Sequence, residues 1–295
     1  MELIFLAELA VNGALTGLLY SLFAIGLVLI YKASSVPNLA QGGLTMVGAY
    51  VVLALARDAG LPLWAAIPLA GVAMFGLGMG IERVALRRLA GRPIVMILMM
   101  TLGIDIFLRG TTLAIWGGTS RSVELGVSYD PLFLGEILIS RIHLVGAAVA
   151  VISFVVFVMF FRSRLGTRLR AIADDYMASW SVGISVEQGV GLSWGLASIV
   201  AVAAGIIWGE IQGVDQSLSL LLLKGLTVAV LGGLDSIFGA VLAGVILGVV
   251  ENVGSAYLDP LVGGGSRDLI VAAVLILTVM LRPHGLFGRH DIERV

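Results

Sequence analysis

Nine stretches of nearly unbroken apolar residues, at roughly 8–31, 36–56, 62–81, 93–116, 141–161, 189–208, 218–235, 237–255 and 268–281, set the terms on which this chain can fold. A helix needs about 20 apolar residues to cross a bilayer core, and most of the stretches approach that length. Backbone polar groups in hydrocarbon must be satisfied inside the segment that carries them, so each stretch is read as a helix. Hydrophobic residues make up 59% of the chain, against about half for soluble domains. The expected fold class is an all-α polytopic membrane protein with about nine hydrophobic segments, some of them broken or re-entrant.

Charge sorting then orients the chain. With the amino terminus placed outside and the segments alternating, Lys32, the Arg83, Arg87, Arg88 and Arg92 group, the Arg162, Arg164, Arg168 and Arg170 group, and Arg282, Arg289 and Arg294 all fall inside, twelve of the 18 basic residues. Short basic loops stay in the cytoplasm, so the carboxyl terminus is also expected inside. Glu2 and Glu8 are the only charges of the first segment's approach, which lacks the basic region of a cleavable signal, and the first helix is expected to be retained. A net charge of -1 points to no nucleic-acid partner. The chain has no cysteine, and His143, His284 and His290 are scattered, so no metal site is expected. No Gly-x-x-x-x-Gly-Lys-Ser/Thr occurs, and any ATP must be handled by another subunit.

The most strongly charged interruption is 162–187, RSRLGTRLRAIADDYMASWSVGISVE. After its four arginines, Asp174 and Asp175 are read as a helix start, their carboxylates favoured by the positive end of the helix dipole. Met177, Trp180 and Ile184 follow on one helical face. An exposed apolar face calls for a cover, which is either a cytoplasmic protein docked on this helix or the lipid headgroup layer.

Two interruptions break the apolar pattern inside segments. Around Pro37, which ends any preceding helix, Asn38 and Gln41 stand where apolar residues are expected, followed by Gly42 and Gly43. Near the other end, Gly232, Gly233 and Gly239 bracket Asp235 and Ser236 between two hydrophobic segments, a pattern of a broken helix turning at the cytoplasmic side. The likeness of the two breaks suggests an internal duplication. Asn38, Gln41, Asp235 and Ser236 are candidate substrate-pathway residues, the alternative being that they satisfy backbone freed at the breaks. Gly13 with Gly17, and Gly244 with Gly248, have the four-residue spacing that lets helix backbones approach closely. Asp105 and Arg109, also four apart, are read as an intramembrane ion pair or as pathway residues, with the pair favoured because Arg109 lies toward the outer end. Lys224 and Glu251 are the other ions at buried depth, and each is expected to face protein or water.

Three blocks carry a family resemblance. Asn38-Leu39-Ala40-Gln41-Gly42 with Gly48-Ala49-Tyr50, Arg170-Ala171-Ile172-Ala173-Asp174 with Gly183-Ile184, and Ala229-Val230-Leu231-Gly232-Gly233-Leu234-Asp235-Ser236-Ile237-Phe238-Gly239 occur in that order. Together they resemble the permease subunits of ABC importers for branched-chain amino acids, within the wider hydrophobic amino acid, amide and urea group. Leu39, Gln41, Asp235 and Phe238 depart from the residues common in that family. The resemblance implies a single permease domain over 1–295 with a coupling loop at 162–187, in a bacterial-type inner membrane. It implies a second, related permease chain, an extracytoplasmic solute-binding protein and two cytoplasmic ATPases that bind ATP and Mg, with no cofactor and no enzymatic activity on this chain. Asp174, Asp175, Met177, Trp180 and Ile184 would then dock the ATPase, and Pro37, Gly42, Gly43, Gly232, Gly233 and Gly239 would act as hinges. A gradient-driven secondary transporter is the alternative, since broken helices serve both classes.

Overall fold

The computed structural model describes residues 2–89, 91–128, 130–174, 176–183 and 185–288. Asp175 and Ile184, and Arg289, His290 and Arg294 of the tail, lie outside the described residues. Every one of the nine apolar stretches coincides with a helix: α1 (Glu2–Ser34), α2 (Gln41–Leu53), α3 (Leu63–Ile81), α4 (Ile94–Trp116), α5 (Arg141–Arg162), α8 (Val186–Gln212), α9 (Ser217–Gly232), α10 (Ile237–Val262) and α11 (Ser266–Leu281). Among the described residues, six helical stretches are long and apolar enough to cross a membrane; α9, with 16 residues, is apolar but shorter. On α4, the side chains of Ile94, Val95, Met99, Ile106 and Phe107 are exposed, an arrangement suited to lipid and not to water.

Two short helices, α6 (Arg164–Asp174) and α7 (Tyr176–Ser181), occupy the charged interruption. The helix expected to start at the two aspartates is α7, which begins at Tyr176; what differs is a further helix ahead of it, α6, which begins ten residues before Asp174 and ends there. The cause is local. Ser163 accepts a hydrogen bond from the Gly166 amide at 3.4 Å, a serine cap on the first turn, and the Arg- and Leu-rich run behind it propagates readily as helix. A second difference is a hairpin in the outer loop, where β1 (Leu132–Leu134) pairs antiparallel with β2 (Ile137–Ile139), Phe133 opposite Leu138. Gly135 turns it with a φ of 68°.

The chain forms two compact units, 1–25 with 127–154 and 223–295, and 26–126 with 155–222. The first is organised on close backbone contact. A Cβ added at Gly13 would lie 2.6 Å from the Gly248 carbonyl oxygen, and one at Gly17 would strike the Gly244 carbonyl, so the two glycine pairs bring α1 directly onto α10. Asn252 donates to the Leu9 carbonyl at 2.8 Å and Ser21 to that of Ala240 at 3.3 Å along the same seam. In the second unit α2 is the buried element, packed on α3, α4 and α8. Its Gly43 amide donates to Asp105 Oδ1 at 2.7 Å, an approach that a side chain at position 43 would obstruct.

Candidate functional site

In the second unit, the chain leaves α1 at Ser34 and crosses Ser35–Ala40 without regular structure before α2 begins, as Pro37 requires. Asn38 holds this crossing: its Oδ1 accepts from the Ala40 amide at 2.9 Å and its amide donates to Gln41 Oε1 at 3.4 Å. Gln41 donates in turn to the Ala197 carbonyl at 3.3 Å. Both side chains are fully buried, and both satisfy backbone or each other, which is the work expected of polar groups at a helix break. Thr101 receives the Leu39 amide at 3.3 Å.

Beside the crossing lies a cavity of about 310 Å³, lined by Val36, Pro37, Asn38, Thr101 and Trp194 among others. Charged groups border it. Glu82 is buried and receives Arg87 through Nη2 at 3.0 Å, while Arg87 Nη1 reaches Glu187 at 2.9 Å. This chain of charges is hidden in the sequence, since Arg87 follows Glu82 by five residues and falls outside the usual helical pairings. A π turn at Glu82–Leu86 brings the two together, with the Arg87 amide bonded to the Glu82 carbonyl. The opposite ends of α4 and α8 are closed. Tyr50 stacks on Trp116 with centroids 5.3 Å apart and donates to the Val214 carbonyl at 3.2 Å, while Arg121 and Val214 exchange backbone hydrogen bonds.

Asp105 and Arg109 pair at 2.8 Å, the aspartate buried and also holding the Gly43 amide. Of the docking candidates, Trp180 is 68% exposed, next to an exposed Val182; Met177 lies in α7, and Asp174 is exposed at the end of α6. Leu169 and Ile172 of α6 are buried and meet α8 at Gly189. Trp180 is thus displayed on a segment whose other helix is anchored.

The remaining candidates belong to the first unit, so the four pathway residues divide two and two. Ser236 caps α10, accepting from the Gly239 amide at 3.0 Å, and Asp235 sits within the same turn. Gly232 and Gly239 pack backbone on backbone, and Gly233 has a φ of 101°, open only to glycine without strain. Residues of the tail lie on this turn, the Leu286 amide donating to the Leu231 carbonyl at 2.8 Å and that of Phe287 to Gly232 at 3.1 Å. Deeper in the unit, Lys224 Nζ lies 2.7 Å from Glu251 Oε1, and Tyr20 donates to the same oxygen at 3.2 Å. Among the described residues no group of three or more His, Cys, Asp or Glu could hold a metal ion.

The family described as branched-chain amino acid transport system / permease component matches residues 9–281. The high-affinity branched-chain amino acid transport system permease protein LivH of Escherichia coli K12 is 30% identical, covering 96% of this chain and 96% of that protein. LivM of Salmonella typhimurium, a permease protein of the same kind of system, is 26% identical, covering 94% of this chain and 69% of LivM. Among solved structures, PsaBC from Streptococcus pneumoniae in complex with Fab shares the fold, with a TM-score of 0.50 and 15% identity over 92% of this chain and 91% of that one.

Proposed function

Because the chain belongs to the family of branched-chain amino acid transport permease components, we infer that it is the membrane subunit of an ATP-driven importer for branched-chain or other hydrophobic amino acids. The family match carries this reading, since it runs through all nine apolar segments, and it displaces the gradient-driven alternative. Likeness to both LivH and LivM supports a pathway shared with a second, related permease chain. The chain acts as one permease domain in a bacterial inner membrane, with its amino terminus outside and its carboxyl terminus inside. A solute-binding protein outside delivers cargo, and two ATPases bind ATP and Mg inside.

The docking surface for the ATPase is the α6–α7 segment. Its support is the exposed Trp180 and Val182 on a segment pinned to α8 by Leu169 and Ile172, since a buried anchor beneath an exposed apolar patch transmits a push to the bundle. ATP favours one arrangement of the transporter over the other only through such a differential contact. Asn38, Gln41, Asp235 and Ser236 stand near the path in this reading, and the glycines and Pro37 of the two breaks move when it opens.

Purification of the tagged chain in mild detergent, followed by mass spectrometry and reconstituted uptake, tests the assembly. Recovery of two ATPase chains and a related permease, with ATP-dependent leucine uptake, is expected. Recovery of this chain alone, with uptake that needs an ion gradient and no ATP, would overturn it.

A further inference from the structure

The cavity at the Pro37 break is apolar over most of its wall and charged at one border. Ile30, Val36, Ile97, Ile172, Val190 and Trp194 supply apolar surface, while Asn38, Glu82 and Arg87 supply the polar groups. At about 310 Å³ it stands at the lower end of small-molecule pockets, roughly 300–1,000 Å³, which limits an occupant to a small molecule. A molecule with one anionic group, one cationic group and a short apolar remainder matches such a wall.

The ion pairs at the border are unequal. Glu82 is buried and holds Arg87 through both Nε and Nη2, so that pairing is fixed in place. Glu187, whose side chain is 60% exposed, touches Arg87 through Nη1 alone. An exposed ion pair contributes little, whereas a ligand carboxylate in the cavity would meet the same guanidinium, itself 32% exposed, through a charge-assisted hydrogen bond.

We propose that this cavity binds the zwitterion of a small apolar amino acid, its carboxylate displacing Glu187 from Arg87, its ammonium group on Glu82 and its side chain against Ile97 and Trp194. The inference rests on the transport reading and adds to it a site on this chain. Displacement has a local consequence: Arg87 ties the end of the α3 helical stretch to the first turn of α8, and α8 directly follows the docking segment. Cargo in the cavity therefore loosens the root of the segment that the ATPase pushes.

The test is equilibrium binding of radiolabelled L-leucine to the purified transporter without its solute-binding protein. Two competitors, 4-methylpentanoate and 3-methylbutylamine, each lack one of the two charges. Leucine should bind, and neither competitor should displace it at matching concentration. Arg87→Met should weaken binding by roughly ten- to a hundredfold, the loss of a charge-assisted hydrogen bond. Glu187→Gln should strengthen it, because the competing carboxylate is gone, and a purely structural bridge predicts no such gain. Should Arg87→Met fail to assemble, Glu187→Gln decides the matter alone. Binding that is absent, or indifferent to Arg87 and Glu187, overturns the site. If ATP-driven leucine uptake persists in that case, the transport reading stands without it; binding with the expected variant pattern but no uptake would leave the site and sink the transport reading.

Discussion

Removing Lys224 should destabilise the protein more than removing the carboxylate it neutralises. Glu251 is 3% exposed, and its Oε1 carries the contacts from Lys224 and Tyr20, while Oε2 has no hydrogen-bond partner among the described residues. In Lys224→Met the carboxylate keeps one neutral hydrogen bond and loses its counter-charge in a buried position. Breaking a buried pair from one side costs about 3–5 kcal/mol. Glu251→Gln is the milder change: the amide still accepts from Tyr20, and Lys224, 16% exposed, lies 3.6 Å from the exposed Asp268. Its cost is that of a charge-assisted hydrogen bond, about 1.5–3 kcal/mol. The double variant carries no uncompensated buried charge and should recover at least about 1 kcal/mol relative to Lys224→Met, within the coupling expected of contacting residues. Fluorescence-detected thermal unfolding of the detergent-purified protein reads these differences as a fall in apparent Tm on the order of 6–20 °C for Lys224→Met. Equal losses for the two single variants, or a double variant less stable than Lys224→Met, would refute the reasoning.

Trp180→Asp should leave the protein in the membrane but abolish copurification of the ATPase; retained copurification with normal uptake would sink the docking surface. Gly17→Val should lower stability by about 3 kcal/mol or more, beyond ordinary overpacking, because the new side chain meets the Gly244 carbonyl and not a movable side chain; near wild-type thermal stability would show that α1 and α10 can part. The absence of cysteine makes labelling simple. A charged maleimide should modify Phe133→Cys in intact cells and Trp180→Cys only in inverted vesicles, and the reverse pattern would invert the proposed topology.

Hydropathy made the helices legible, because a bilayer demands length and apolarity at the level of each segment. The four-residue glycine spacings were legible for a similar reason: Gly13 and Gly17 lie on one face of α1, as Gly244 and Gly248 do on α10, and each pair leaves a strip of bare backbone. Asp105 and Arg109 were within reach because an α-helix brings residues four apart together. What escaped was set by local departures or by tertiary packing. Glu82 and Arg87 pair only because a π turn shifts the period to five. The α6 start at Ser163 was hidden by the stronger capping signal of two adjacent aspartates. Lys224 and Glu251, on different helices, announce themselves as ions needing company, but nothing in the sequence says they are each other's.

The tail laid over the α9–α10 turn bears on the order of events during synthesis. The last carbonyls of a helix have no partner within it, and here those of Leu231 and Gly232 are met by the amides of Leu286 and Phe287. These donors emerge from the ribosome 55 residues later, an interval on the order of 3–11 s at bacterial and eukaryotic elongation speeds. Until then the turn has its helices but not its seal, and water must hold the waiting oxygens. The closing of this corner is thus a late step of biogenesis, and truncating the chain before Leu286 would leave it permanently at the stage of a nascent protein.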